Sequence, residues 1–299
     1  MLYNVDAPGD WGSTQTTVAV QYTTEMLALA DGCKLFLRCW KTEGRGVLLI
    51  MHGLGAHSGW FIDMGNALAR RGLTVYAVDH RGFGRSEGLP GHVERATNYI
   101  GDLAAVLKEI RARHAAEGTK FFALGHSMGG IFATHLAAKH SSLLDGVLFL
   151  NPWVRDQVKV PLGMTLGILA GGLLRSKRYW PGPAGTEVMT TNPEAVRMLE
   201  ADPYWRRKFT ANFFAEIFRL RLQVLKLAPQ IALPALVMQA DEDKSVVPEA
   251  SRKLYEALGS SDKTWKTYPD YAHDSELEAD RAQLDQDIVE WIQTHTGAY

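Results

Sequence analysis

Apolar positions along this chain fall into two alternating registers. Short continuous runs at Gly46–Met51, 73–78, 121–124, Gly146–Leu150 and 233–239 carry the signature of strands buried on both faces. Between them the apolar residues recur at helical spacing. Tyr99, Leu103, Val106, Leu107 and Ile110 share one face and predict a helix over about 98–116. Residues 60–71 read as a helix closed by Gly72, 130–139 as a helix of small residues, and 248–258 as a third. The last helix spans 280–295, with Leu284, Ile288 and Ile292 at spacing four. At the start, residues 1–16 are polar and rich in Gly and Thr, a loosely held arm. Residues 17–22 alternate like a strand, Ala30-Asp31-Gly32 marks a turn, and Lys34–Trp40 is a second strand, together predicting an antiparallel edge. Lys263–Tyr268 is the last strand. Strand and helix in regular alternation predict an α/β fold with a mostly parallel central sheet flanked by helices.

The alternation stops after Asn151-Pro152 and resumes near residue 230. Residues 153–229 hold no strand-like run. They contain an apolar, Gly-rich stretch at 158–174, a Gly/Pro loop at 181–185, a helix opening at Asn192-Pro193-Glu194 with proline in its first turn, and an amphipathic stretch at 209–227. The expected organisation is a core of residues 1–152 and 230–299 with residues 153–229 inserted as a helical cap.

Composition narrows this picture only modestly. With 299 residues, 46% hydrophobic and 22% charged, the chain is an ordinary globular protein with a sizeable core. Its 32 basic and 33 acidic residues leave a net charge of −1, which gives no reason to expect nucleic acid as a partner. Cys33 and Cys39 lie six residues apart in one strand-like run, roughly 20 Å, beyond the roughly 7 Å limit for a disulfide, so both are expected as free thiols. The N-terminus lacks a basic region followed by an apolar one, and no transmembrane span is evident. The expected location is cytoplasmic.

The candidate chemistry begins at Gly125-His126-Ser127-Met128-Gly129. An apolar strand enters this pentapeptide and a small-residue helix leaves it, the context in which G-x-S-x-G presents a nucleophilic serine. A serine on so sharp a turn needs glycine two positions before and after it, where side chains would meet the adjoining strand and helix. The serine needs a base, and the base an orienting acid, both on loops at the carboxyl ends of strands. Of the ten histidines, His114, His135, His140 and His295 fall in or at the ends of helices, and His126 is locked in the turn. His52, His57 and His80 precede Ser127. His273 follows the last strand and completes the chain order Ser…Asp/Glu…His. The acid lies in Ala240-Asp241-Glu242-Asp243, where Asp243 is favoured and Asp241 is the alternative. Position nominates the N–H groups of Met128 and Leu54 as oxyanion donors, with Gly53 and Gly55 allowing close approach. Ser86, in a Gly-rich turn, reads as structural. Metal-ligand spacings and phosphate-binding glycine loops do not occur, so neither metal nor cofactor is expected.

The chain resembles the α/β-hydrolase superfamily, and within it the monoacylglycerol lipases and bacterial lysophospholipases of the serine-hydrolase type. The matching motifs are His52-Gly-Leu-Gly-Ala-His-Ser-Gly59, Asp79-His-Arg-Gly-Phe-Gly-Arg-Ser-Glu-Gly88, Gly125-His-Ser-Met-Gly-Gly130 and Tyr271-Ala-His273, and the likeness runs over about residues 25–295. It implies Ser127 as nucleophile, His273 as base, Asp243 as acid with Pro248 five residues on, and an oxyanion hole from Leu54 and Met128. The implied activity is hydrolysis of a single-chain acyl ester such as a monoacylglycerol through an acyl-enzyme. Rival readings with the same triad are a short-chain carboxylesterase, a thioesterase or a lactonase. A ligand-binding receptor with a silent triad is the non-enzymatic rival. In the cap, Met164, Leu166, Ile168, Leu169, Phe213, Phe214, Ile217 and Phe218 are candidates for an acyl-binding surface and for transient contact with a lipid surface.

Overall fold

The computed structural model describes residues 21–182 and 185–297. In chain order its elements begin with strands β1 (Thr23–Ala28), β2 (Lys34–Trp40) and β3 (Gly46–Met51), helix α1 (Ile62–Arg70), β4 (Thr74–Val78) and α2 (Thr97–Arg113). Strand β5 (Lys120–His126), helix α3 (Met128–Lys139) and β6 (Gly146–Leu150) follow. Next come α4 (Leu162–Leu173), β7 (Tyr179–Pro181), α5 (Pro193–Ala201), β8 (Lys208–Thr210), α6 (Ala211–Arg221) and α7 (Val224–Leu227). The chain closes with β9 (Ala235–Ala240), α8 (Pro248–Ala257), β10 (Lys263–Tyr268) and α9 (Ala282–Thr296).

One eight-stranded sheet has the order β1-β2-β4-β3-β5-β6-β9-β10. β1, β2 and β4 pair antiparallel, and every pairing from β4 onward is parallel. The central runs are apolar throughout because both faces are covered. On one face α2, α3 and α8 bring Leu103, Phe132 and Leu254 into a core with Val47, Ala123 and Val237. On the other, α1 and α9 bring Met64, Leu68, Ile288 and Ile292 against Leu48, Leu124 and Leu236.

Two expectations are corrected. An edge strand lies at Thr23–Ala28, and Gln21 and Tyr22, the described part of the strand expected at 17–22, precede it; residues 1–20 fall outside the described residues. The segment between β6 and β9 does hold strands: β7 and β8 form a short antiparallel ribbon, Trp180 opposite Phe209. Three-residue strands are too brief to leave a periodic signature. That segment adds no strand to the large sheet, so β6 and β9 remain neighbours across it. Both cysteines are free.

Candidate active site

Ser127 sits between β5 and α3 with φ 51° and ψ −114°, a conformation L-residues rarely adopt. Its neighbours explain the two glycines. A Cβ on Gly125 would lie 2.3 Å from the Gly129 carbonyl oxygen, and one on Gly129 would lie 2.1 Å from that of Met51. The turn is pinned by Ser127 N–H donating to Leu150 O (3.0 Å) and by Ser127 O accepting from Gly130 N (2.9 Å) and Trp153 N (3.0 Å).

His273 lies on the loop after β10. Its Nε2 is 2.8 Å from Ser127 Oγ and its Nδ1 is 2.7 Å from Asp243 Oδ2. Asp243 is buried after β9, and its Oδ1 accepts from the N–H groups of Ser245 (2.8 Å) and Val246 (2.9 Å). Burial pushes this carboxyl up, but the His273 ring and the two amide donors outweigh it and hold the group below the usual carboxylate range. Burial likewise pulls His273 down, and Asp243 more than offsets it, leaving the imidazole above its ordinary value. Asp241 is exposed, its N–H spent on Tyr268 O. Of the two candidate acids, only Asp243 meets His273.

Leu54 lines the cavity above Ser127. Among the described residues no partner takes its N–H. The Met128 N–H opens α3, where no intrahelical acceptor exists, while its side chain is buried in the core. Gly53 and Gly55 give the Leu54 loop its approach. A Cβ on Gly53 would lie 3.1 Å from Ser127 Cβ, and Gly55 has φ +85°. Ser86 acts as a brace: its Oγ donates to Asp79 O (2.6 Å) and accepts from Phe36 N (2.7 Å).

Several residues here carried no recognisable signal in sequence. Asn151, at φ 45°, follows β6 and links the end of β9, before Asp243, to the loop of His273. His126 Nε2 is 3.1 Å from His273 O, so that nitrogen carries the proton and Nδ1 is bare. Burial holds this imidazole down at about 3, hence neutral. Glu276 Oε1 lies 3.5 Å from Nδ1 with no hydrogen bond between them, and burial pushes that carboxyl well above its usual range. Asp274, beside the base, is likewise pushed up to about 7 by burial. Ligand atoms of His126, His273 and Asp274 lie within 4.8 Å of one another. Both His273 nitrogens and the His126 Nε2–H are already engaged, so this grouping serves the hydrogen-bond network.

The cavity has a volume of about 290 Å³ and holds Ser127 and His273 on its floor. Its walls include Trp153, Val158, Met189, Trp205, Arg206 and Phe209. None of the eight cap residues nominated from sequence is on that wall. Phe213 and Ile217 are fully buried in the core, and Phe214 packs against the same cluster. Phe218 is exposed beside Arg221. Met164 and Ile168 are partly covered, and Leu166 and Leu169 are exposed. The reason is the packing of α4 on α6. Gly171 and Gly172 abut Ala211 and Ala215 so closely that an added Cβ would come within 2.5 Å of either. This turns the leucines of α4 outward. The wall is built instead from the loops around Trp153 and Trp205.

The sheet order and the serine turn define an α/β-hydrolase. The family described as serine aminopeptidase, S33, matches residues 42–280, and the chain belongs to it. The monoacylglycerol lipase of Mycolicibacterium smegmatis is 26% identical over 272 residues, covering 88% of this chain and 94% of the relative. The Homo sapiens monoglyceride lipase is 28% identical over 278 residues, covering 91% and 90%. Among solved structures, the Paleococcus ferrophilus monoacylglycerol lipase aligns with a TM-score of 0.79 at 26% identity, over 87% of this chain and 99% of that one.

Proposed function

We propose that this carboxylic ester hydrolase cleaves single-chain acyl esters of glycerol, of the monoacylglycerol or lysophospholipid kind, with Ser127 as nucleophile. One observation carries the reading: Ser127 Oγ is 2.8 Å from His273 Nε2, whose Nδ1 is 2.7 Å from Asp243, at the floor of a largely apolar cavity. His273 takes the Ser127 proton as Oγ attacks the ester carbonyl, and Asp243 stabilises the imidazolium. The N–H groups of Leu54 and Met128 receive the developing oxyanion. Collapse passes the His273 proton to the leaving alcohol and leaves an acyl group on Ser127. Water, deprotonated by His273, then attacks the acyl carbon; the bond to Ser127 Oγ breaks, Oγ takes the proton back from His273, and the acid is released.

Residues 153–229 act as the cap over a core of 1–152 and 230–299. The exposed leucines of α4, with Arg175, Lys177 and Arg178 following them, support transient contact with a lipid surface by a cytoplasmic enzyme. Among the described residues no helix is long and apolar enough to cross a membrane.

A fluorophosphonate probe tests the nucleophile. The expected result is covalent labelling of the folded protein at Ser127, abolished in Ser127→Ala together with turnover of 1-decanoylglycerol. A folded protein that is neither labelled nor active on any ester overturns the proposal.

A further inference from the structure

Given the ester hydrolysis proposed above, we infer that the preferred alcohol moiety bears a phosphate, with Arg206 as its anion-binding residue; the substrate class is then a single-chain glycerophospholipid rather than a neutral glyceride.

Arg206 is half-buried on the wall of the cavity that holds Ser127. Its backbone N–H donates to Gly55 O at 2.8 Å. That bond seats it on the loop carrying Leu54, the proposed oxyanion donor. Among the described residues its guanidinium forms no ion pair, no side-chain hydrogen bond and no stacking on a ring, and its Nε is buried without a partner. Leaving such a donor empty is costly. A ligand oxygen would fill it, and the planar guanidinium fork suits phosphate better than a hydroxyl.

The other charges on the wall do not cancel this one. Asp156 is taken by Arg221 and by the indole N–H of Trp153 (2.6 Å). Burial pushes the Asp274 carboxyl up to about 7, which reduces its charge at neutral pH. Arg207 lies over the Trp205 ring at 4.2 Å and gives its Nη2 to the carbonyls of Leu199 and Glu200, and among the described residues its charge meets no carboxylate. Arg206 and Arg207 therefore stand on the cavity wall without a carboxylate partner among the described residues, an arrangement that suits an anionic ligand. Cleavage balances as ordinary hydrolysis: the acyl carbon–oxygen bond breaks, glycerol phosphate leaves with the His273 proton, and water supplies the second carboxyl oxygen of the fatty acid.

The test uses 1-decanoyl lysophosphatidic acid and 1-decanoylglycerol, with p-nitrophenyl acetate reporting the nucleophile alone. Wild-type protein is expected to show kcat/KM about tenfold higher on the phosphate-bearing substrate, consistent with a charge-assisted hydrogen bond. In Arg206→Met the loss on that substrate should exceed the loss on the neutral glyceride by about tenfold, mainly through KM, and Arg206→Lys should recover part of it. Equal or better wild-type turnover of the neutral glyceride, or equal losses on both substrates in Arg206→Met, overturns the inference while p-nitrophenyl acetate turnover leaves the esterase reading standing. A folded wild-type protein inactive on all three overturns both.

Discussion

Asn151 Nδ2 donates to the backbone carbonyl of His273 at 2.6 Å, and the same side chain accepts from Ala240 N–H at 2.7 Å through Oδ1. One amide therefore spaces the loop of the base from the end of the strand that precedes the acid. A third bond, Nδ2 to Ser275 Oγ at 2.8 Å, fixes the turn after His273. The left-handed backbone at φ 45° is one that asparagine tolerates better than most residues.

Asn151→Ala removes all three bonds and strands the buried Ala240 N–H, while the His273 carbonyl keeps only its bond from His126 Nε2–H. An unpaired buried donor costs about 1–3 kcal/mol. The expected result is a clearly lower midpoint in urea, with kcat on a soluble ester falling at least about tenfold as His273 loses its register. Unchanged kcat in a folded variant would show that the base is held by other contacts.

Gly55→Ala probes the oxyanion loop. The residue has φ +85°, and a Cβ there would lie 2.6 Å from Arg206 O. Backbone strain of about 1–3 kcal/mol would be relieved by moving the loop, which carries the Leu54 N–H away from the site. Loss of one oxyanion donor lowers kcat by about 10²–10³. Steady-state kinetics on p-nitrophenyl acetate should show the loss in kcat with KM little changed.

The sheet was legible because its strands are buried on both faces, and an unbroken run such as Val47 to Met51 has few other uses. Ser127 and His273 could be named because the glycines at 125 and 129 are demanded by contacts under 2.5 Å, and chain order left few histidines. The cavity wall was not legible. Periodicity reports that Phe213 and Leu166 are apolar, but not that one faces the core and the other solvent. That depends on how closely Gly171 and Gly172 let α4 approach α6. Trp153, Trp205 and Arg206 sit in irregular segments without a period. The roles of Asn151 and Glu276 arise from pairings between residues more than a hundred positions apart.

The pair His273–Asp243 makes activity rise with pH while the stability drawn from the raised histidine falls. His273 must be neutral to accept the Ser127 proton, and Asp243 holds it above its ordinary value of about 6.5. The value of kcat/KM should therefore rise with pH, with its midpoint on the alkaline side of 6.5. Stability from the raised histidine is full below 6.5 and is lost as pH rises through the folded value. Stability from the depressed Asp243 is present above about 3.9 and is lost as pH falls through its folded value. Asp243→Asn should lower kcat by about 10⁴ and move the residual activity's midpoint toward acid, since burial then acts on His273 without its counter-charge. A midpoint unmoved in that variant would contradict the assignment.

Leu162, Leu166, Leu169 and Leu173 form the exposed ridge of α4, with Leu222 exposed after α6. Leu166→Glu with Leu169→Glu should weaken sedimentation with anionic phospholipid vesicles at least about fivefold, because each substitution loses apolar burial and adds like charge. Turnover of p-nitrophenyl acetate should stay close to wild type, as neither residue lies on the cavity wall. Equal vesicle binding by wild type and variant would remove the ridge as the point of contact.

Glu276 and Asp274 are buried acids whose folded values are raised, Asp274 to about 7, by burial first and then by neighbouring carboxylates, among them Asp243 and Glu278. A carboxyl raised on folding contributes its full stability below its unfolded value, about 4, and loses it as pH rises toward the folded value. His126 acts the other way. Its folded value of about 3 lies below its unfolded value, so it weakens the fold as pH falls from about 6.5. Wild-type melting temperatures thus mix opposing slopes, and the informative quantity is the difference between variant and wild type at each pH. Glu276→Gln and Asp274→Asn each keep the side-chain shape while removing the charge. The double variant should gain melting temperature relative to wild type at pH 8 and gain little at pH 4, where both wild-type acids are already neutral. An equal shift at both pH values would mean that these carboxyls ionise in the folded protein much as they do in the unfolded chain.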